Sequence, residues 1–166
     1  MIERFLVTAL GRRPVDNLAP VQRLFDAATS GNLDAIDTLV SADFVDHGAP
    51  PGMVPPGPEG YKTTLRLLRE AMQMTWTLID IVAQDERVMA WVRCEGRHVG
   101  EFFGIPSTGR KFSFEAMHRF RVEEEIVREH WAVRDDLRLF RQIGLIADPS
   151  PLDPRAQLDA LAVSRR

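Results

Sequence analysis

The chain has 166 residues and a formal net charge of −3, with 45% hydrophobic and 27% charged residues. That size suits one domain with one core, and the charge balance offers no basic footprint for nucleic acid and no polybasic patch for an anionic membrane. Cys94 is the single cysteine, so an intrachain disulfide and a cysteine-based zinc site are both excluded, and a reducing cytoplasm is the expected location. No apolar run approaches the length that spans a bilayer.

Residues 1–16 read as a local arm. The apolar stretch from Phe5 to Leu10 follows an acid and an arginine, and Arg12, Arg13 and Pro14 stand where a signal peptide would carry small residues. Residues 17–148 form the expected domain. Pro20 to Val40 predicts two helices, the first with Val21, Leu24, Phe25 and Ala28 at helical spacing, the second with Ile36, Leu39 and Val40, broken at Gly31-Asn32. After Asp43 to Gly48, the proline- and glycine-rich run from Ala49 to Gly60 predicts irregular structure. Glu59 to Met74 then predicts a helix with Tyr61, Leu65, Leu68 and Met72 on one side.

Beyond Trp76 the period changes to two. Trp76 to Val82 and Arg87 to His98 predict strands, the second with Val88, Ala90, Val92 and Cys94 on one face. Phe102 to Arg110 predicts a loop. Phe112 to Arg121 is the cleanest strand, with Phe112, Phe114, Ala116, His118 and Phe120 on its apolar face. Glu123-Glu124-Glu125 predicts a turn. The final strand, read by alternation from Val127, places Glu129, Trp131, Val133 and Asp135 inward and His130 and Arg134 outward. Leu137 to Ile146 closes the domain as a short helix or turn, and residues 149–166 form a tail. Helices first and strands afterwards predict an α+β fold: a curved, largely antiparallel sheet packed by helices around a cone-shaped apolar pocket.

The candidate chemistry lies on the inward faces. Asp135 reads either as a general acid or base tuned by an apolar pocket, or as the N-cap of the closing helix, a role for which Asp136 competes. His118 sits on a strongly apolar face, where it reads as a core histidine or as a proton-transfer partner of Asp135. His47 stands in a loop at the expected pocket mouth. Glu129 reads as an ion-pair partner or a second carboxylate. Trp131, Trp91, Met74, Phe102 and Phe103 are candidate pocket walls, joined by Phe44 and Tyr61. Phosphate-loop, nucleophile-elbow and zinc-helix motifs are missing, and the four histidines show no metal-ligand spacing.

Five ordered blocks carry a resemblance. They are Phe44-Val45-Asp46-His47-Gly48, Gly57-Pro58-Glu59-Gly60-Tyr61-Lys62, Gly100 to Gly109, Glu129-His130-Trp131 with Asp135, and Gln142-Ile143-Gly144. Together, from about Leu18 to Leu145, they resemble the SnoaL-like polyketide cyclase (ester cyclase) family of the nuclear transport factor 2-like superfamily. The resemblance implies a cone-like α+β barrel with a deep apolar pocket for a small hydrophobic substrate, a dimer or tetramer, and no metal or organic cofactor. It implies ring closure by intramolecular aldol condensation. The family's acid/base aspartate maps to Asp135, with His118 as a pocket partner and His47 at the pocket. Three departures stand out: Glu123-Glu124-Glu125 in place of an Asp-Gly turn, an extra Arg128 that marks a bulge candidate, and Met72-Gln73-Met74 where the family often has Phe-Pro-Asp. Two rival readings share the fold. One is a non-catalytic small-molecule-binding domain. The other is an epoxide hydrolase- or isomerase-like enzyme, using Asp80 as a second inward acid beside an arginine and a water.

Overall fold

The computed structural model describes residues 16–49 and 54–147. The tail, and the arm apart from Asp16, lie outside the described residues.

Helix α1 spans Leu18–Ser30 and buries the expected stripe of Val21, Leu24, Phe25 and Ala28. The Asp16 carboxylate accepts the Leu18 N–H at 3.1 Å, and Gly31 ends the helix in a left-handed conformation. The Arg69 guanidinium donates to the Ala28 and Thr29 carbonyls, satisfying the acceptors that the last turn of α1 leaves open. A 3-10 turn, Leu33–Ala35, leads into the single-turn α2, Ile36–Leu39, and then into strand β1, Val40–Asp46. Helix α3, Gly57–Met72, turns Tyr61, Leu65 and Met72 inward. Its first residue, Gly57, has φ +76°, and a Cβ there would stand 2.9 Å from the Ala42 carbonyl oxygen, so glycine is required on both counts.

Strands β2 (Thr75–Gln84), β3 (Arg87–Arg97), β4 (Lys111–Glu123) and β5 (Ile126–Arg134) follow, and helix α4 (Asp136–Gln142) closes the described fold. The sheet order is β1-β5-β4-β3-β2. All neighbours are antiparallel except β1 and β5, which run parallel. The architecture is the expected α+β one, with α1 against β2, α3 against β1 and α4 against β4. Strand β1 is the element that carried no local signal. Its pairing partner is more than 80 residues away, and its fully buried residues are few: Val40, Ser41 and Phe44.

Strands β3 and β4 keep the predicted alternation. Val88, Ala90, Val92, Cys94, Phe112, Phe114, Ala116, His118 and Phe120 are all buried. Strand β5 does not. Arg121 pairs with Glu129 and Val122 with Val127, so Arg128 is an extra residue bulged out of the ladder. The bulge resets parity. Val127 is inward, and so are its successors His130 and Ala132, which pair with the inward Phe120 and His118. Glu129, Trp131 and Val133 therefore face outward, the reverse of an alternation counted from Val127. Val133 is 77% exposed.

Candidate active site

The parallel pairing of β1 with β5 sets Asp46 directly beside His130. The Asp46 carboxylate accepts from His130 Nδ1 at 2.8 Å and from the Gly48 N–H at 2.9 Å. His130 Nε2 lies 2.8 Å from His118 Nδ1 on the neighbouring strand β4. The two imidazoles stack, with centroids 5.1 Å apart. Phe120 stacks on His130, and Phe25 meets His118 edge-on at 5.5 Å. Three polar side chains thus form one hydrogen-bonded chain inside an apolar shell.

That chain dictates its own tautomers. An ionised Asp46 only accepts, so His130 carries its proton on Nδ1. Neutral His130 then accepts at Nε2, so His118 donates from Nδ1. The remaining atom, His118 Nε2, keeps a bare lone pair. It has no hydrogen-bond partner among the described residues.

The charges follow from the surroundings. Burial pushes the Asp46 carboxyl up, but the hydrogen bond and charge of His130, the Gly48 N–H and Arg134 outweigh it and hold the group below its ordinary value. His118 is pushed down to about 3, first by burial, then by positive charge at His130 and Arg134, with Asp46 opposing. A proton taken up at His118 Nε2 is thus poorly held there. Release of Nδ1–H to His130 moves the positive charge next to Asp46, where it is paired.

Asp46, His130 and His118 line a cavity of about 160 Å³. Its walls come from α1 (Phe25), α3 (Tyr61, Leu65, Leu68), the inner sheet (Met74, Trp76, Phe114) and α4 (Leu139, Phe140). Phe102 and Phe103, joined in a tight loop by the Phe102–Ile105 bridge, complete it. Burial pushes the thiol of Cys94, another wall residue, up to about 12, against the pull of Arg134. The exposed Arg134 and the half-buried Asp136 also belong to the wall, and Arg134 Nε is 3.4 Å from an Asp136 carboxylate oxygen.

Of the residues singled out in the sequence, the structure brings His118, Tyr61, Met74, Phe102 and Phe103 to this cavity. Phe44 is buried behind it, edge-on to Tyr61 at 5.2 Å. The others lie elsewhere. Asp135 is exposed, and its carboxylate accepts the Arg138 N–H at 3.0 Å as the N-cap of α4. Its neighbour Asp136 reaches the cavity instead.

His47 is on the outer face. Its Nε2 pairs with Glu129 at 2.8 Å, and its ring stacks on Trp131 at 4.4 Å. Trp131 also carries the Arg119 guanidinium over its ring, so it is an outer-face platform and not a pocket wall. Glu129 is held below its ordinary value by His47 and then Arg121, which makes it the ion-pair partner. Trp91 occupies an odd position of β3, is 41% exposed and donates its indole N–H to Glu115 at 3.0 Å. Asp80 is exposed at a bulge in β2 and bonds the Ile81 N–H, outside the cavity.

Asp46 and His130, which lie within the Phe44–Gly48 and Glu129–Trp131 blocks, are not among the candidates that the sequence singles out. The available signal was Arg128, whose insertion turns His130 inward.

A curved five-stranded sheet packed by helices around an apolar cavity is the α+β fold of the SnoaL-like polyketide cyclases. The family model for SnoaL-like polyketide cyclases matches residues 19–143, and the chain belongs to that family. It is 30% identical over 131 residues to an aklanonic acid methyl ester cyclase, DnrD, of Streptomyces peucetius, across 75% of this chain and 88% of that one. It is 26% identical over 132 residues to the nogalonic acid methyl ester cyclase of Streptomyces nogalater, across 78% of this chain and 96% of the other. Among solved structures, TsrD of Streptomyces laurentii superposes with a TM-score of 0.72 at 26% identity, covering 81% of this chain and all of that one. The chain is a cyclase-type enzyme.

Proposed function

We propose that this protein closes a ring in a hydrophobic polyketide carbonyl compound by intramolecular aldol condensation, with His118 as the acid/base. The observation that carries this reading is the continuous Asp46–His130–His118 chain, whose last residue lines an apolar cavity and keeps one buried ring nitrogen without a partner among the described residues.

His118 Nε2 removes a proton from a carbon next to a carbonyl. His118 passes its Nδ1 proton to His130, whose imidazolium is stabilised by Asp46. The enolate carbon attacks a second carbonyl of the same molecule, forming the new carbon–carbon bond. The resulting alkoxide takes the proton back from Nε2 as the chain relaxes. Product and substrate have the same composition, so no oxidant, reductant or water is consumed. The apolar walls fold the substrate so that the two carbons meet, and this positioning supplies much of the rate.

The names of the relatives supply the first substrates to try. Purified protein incubated with aklanonic acid methyl ester or nogalonic acid methyl ester is expected to give a cyclised isomer of unchanged mass, followed by chromatography and proton NMR. The variant His118→Phe should give none. Failure of the folded wild type to convert either ester, or full activity of His118→Phe, would sink the reading.

A further inference from the structure

We propose that Tyr61 supplies the hydrogen bond that holds the enolate oxygen while His118 holds the proton. This rests on the ring-closure reading above and adds a second group to it.

Removing a proton next to a carbonyl needs two things at once: a base at the carbon and a donor at the oxygen where negative charge collects. His118 Nε2 is the base. The donor must be a hydroxyl or N–H that faces the same space and is not already committed. Among the residues of the cavity wall, Thr64 and Tyr61 carry hydroxyls and Trp76 an indole N–H, and of the three Tyr61 is the one packed against the relay, edge-on to His130. Thr64 donates to the Gly60 carbonyl one turn back in α3, at 3.2 Å. The Tyr61 hydroxyl has no hydrogen-bond partner among the described residues.

The ring of Tyr61 is fixed where this role needs it. It meets His130 edge-on at 5.8 Å and Phe44 at 5.2 Å, so it packs against the middle of the relay. An aromatic ring caught between two others has little rotamer freedom to lose when a ligand arrives. Burial, and then the Asp46 charge, push the phenol above its ordinary ionisation range. Tyr61 therefore stays a donor at any working pH and does not compete with His118 for the proton. The ligand class follows: a planar, enolisable carbonyl whose oxygen and adjacent carbon reach Tyr61 and His118 together.

Tyr61→Phe keeps the ring and both aromatic contacts and removes only the hydroxyl. With a converted methyl ester, kcat is expected to fall about 100-fold while KM stays within about threefold, the mark of a bond made in the transition state. A second measurement needs no turnover. The 4-nitrophenolate ion carries an enolate-like oxygen on a flat ring, and its absorbance reports ionisation. Wild type should bind it, lower its apparent pKa, and lose about tenfold in affinity on Tyr61→Phe. Equal 4-nitrophenolate affinity in the two proteins, no binding by the wild type, or an unchanged kcat would overturn the role. If neither ester is converted but 4-nitrophenolate binding depends on Tyr61, the donor stands and the ring-closure reading falls.

Discussion

His130 Nδ1 lies 2.8 Å from Asp46 Oδ1, although 84 residues separate them in the chain. The contact exists because β1 runs parallel to β5 and ends beside it. Neither strand alone encodes it, and the tautomer assigned to the proposed base depends on it.

Asp46→Asn tests the chain at its root. Asparagine fills the same volume but cannot balance an imidazolium at His130. We expect kcat to fall by about 100-fold or more. Stability should fall by about 1–3 kcal/mol, because the Gly48 and His130 donors lose a charged acceptor. Steady-state kinetics and urea unfolding measure the two effects separately. Undiminished kcat would remove Asp46 from the mechanism.

His118 makes stability depend on pH. The folded chain holds this imidazole at about 3, against an ordinary value of 6.5. Between those values the unfolded chain takes up a proton that the folded chain refuses. Stability should therefore fall as pH drops through this window, and the contribution is absent above it. His118→Phe, which suits a site stacked on Phe120 and edge-on to Phe25, should lose turnover yet flatten the fall in melting temperature on acidification. A melting curve that shifts with pH as steeply in the variant as in wild type would contradict this.

Asp135→Ala should cost a helix cap and little else. Losing the bond to the Arg138 N–H destabilises by about 1 kcal/mol, a drop in melting temperature of about 3–5 °C. Turnover should stay within about twofold of wild type, because the side chain faces solvent. A loss of activity above about tenfold with the fold intact would return Asp135 to the chemistry.

His47→Ala separates the outer face from the inner one. It removes the pair with Glu129 and the stack on Trp131, an exposed cluster also tied by Arg121 and Glu123. Exposed pairs of this kind contribute about 1 kcal/mol or less. Kinetic constants should be unchanged. A large effect on kcat would mean that the outer cluster communicates with the cavity.

The inward faces of β3 and β4, the stripes of α1 and α3, and the place of His118 were legible in the sequence, since each depends on a local period. The site was legible only in part. Asp46 is one of few inward residues on a strand without its own alternation, so its partner became visible only once the sheet order was known. Alternation counted from Val127 points Trp131 and Asp135 inward, and aromatic character alone suggests the same for Trp91. For Trp131 the bulge decides otherwise. For Asp135 a capping bond does. For Trp91 the strand's own alternation, anchored on Val88 and Val92, already pointed outward.

Arg128 gives this chain an uneven tolerance to change. A substitution at Arg128 alters its ion pairs with Asp43 and Glu123 and little of the interior. Its deletion is another matter, because strand geometry offers only two ways to absorb a missing residue. Either Val127 leaves the core, or His130 rotates to the outside and Asp46 is left buried without its partner. Single-residue insertions and deletions between Glu123 and Glu129 should therefore act as on-off changes to the site, while amino-acid exchanges at the same positions are graded. Relatives that differ in length across this turn will not share a common inward histidine simply because their histidines align.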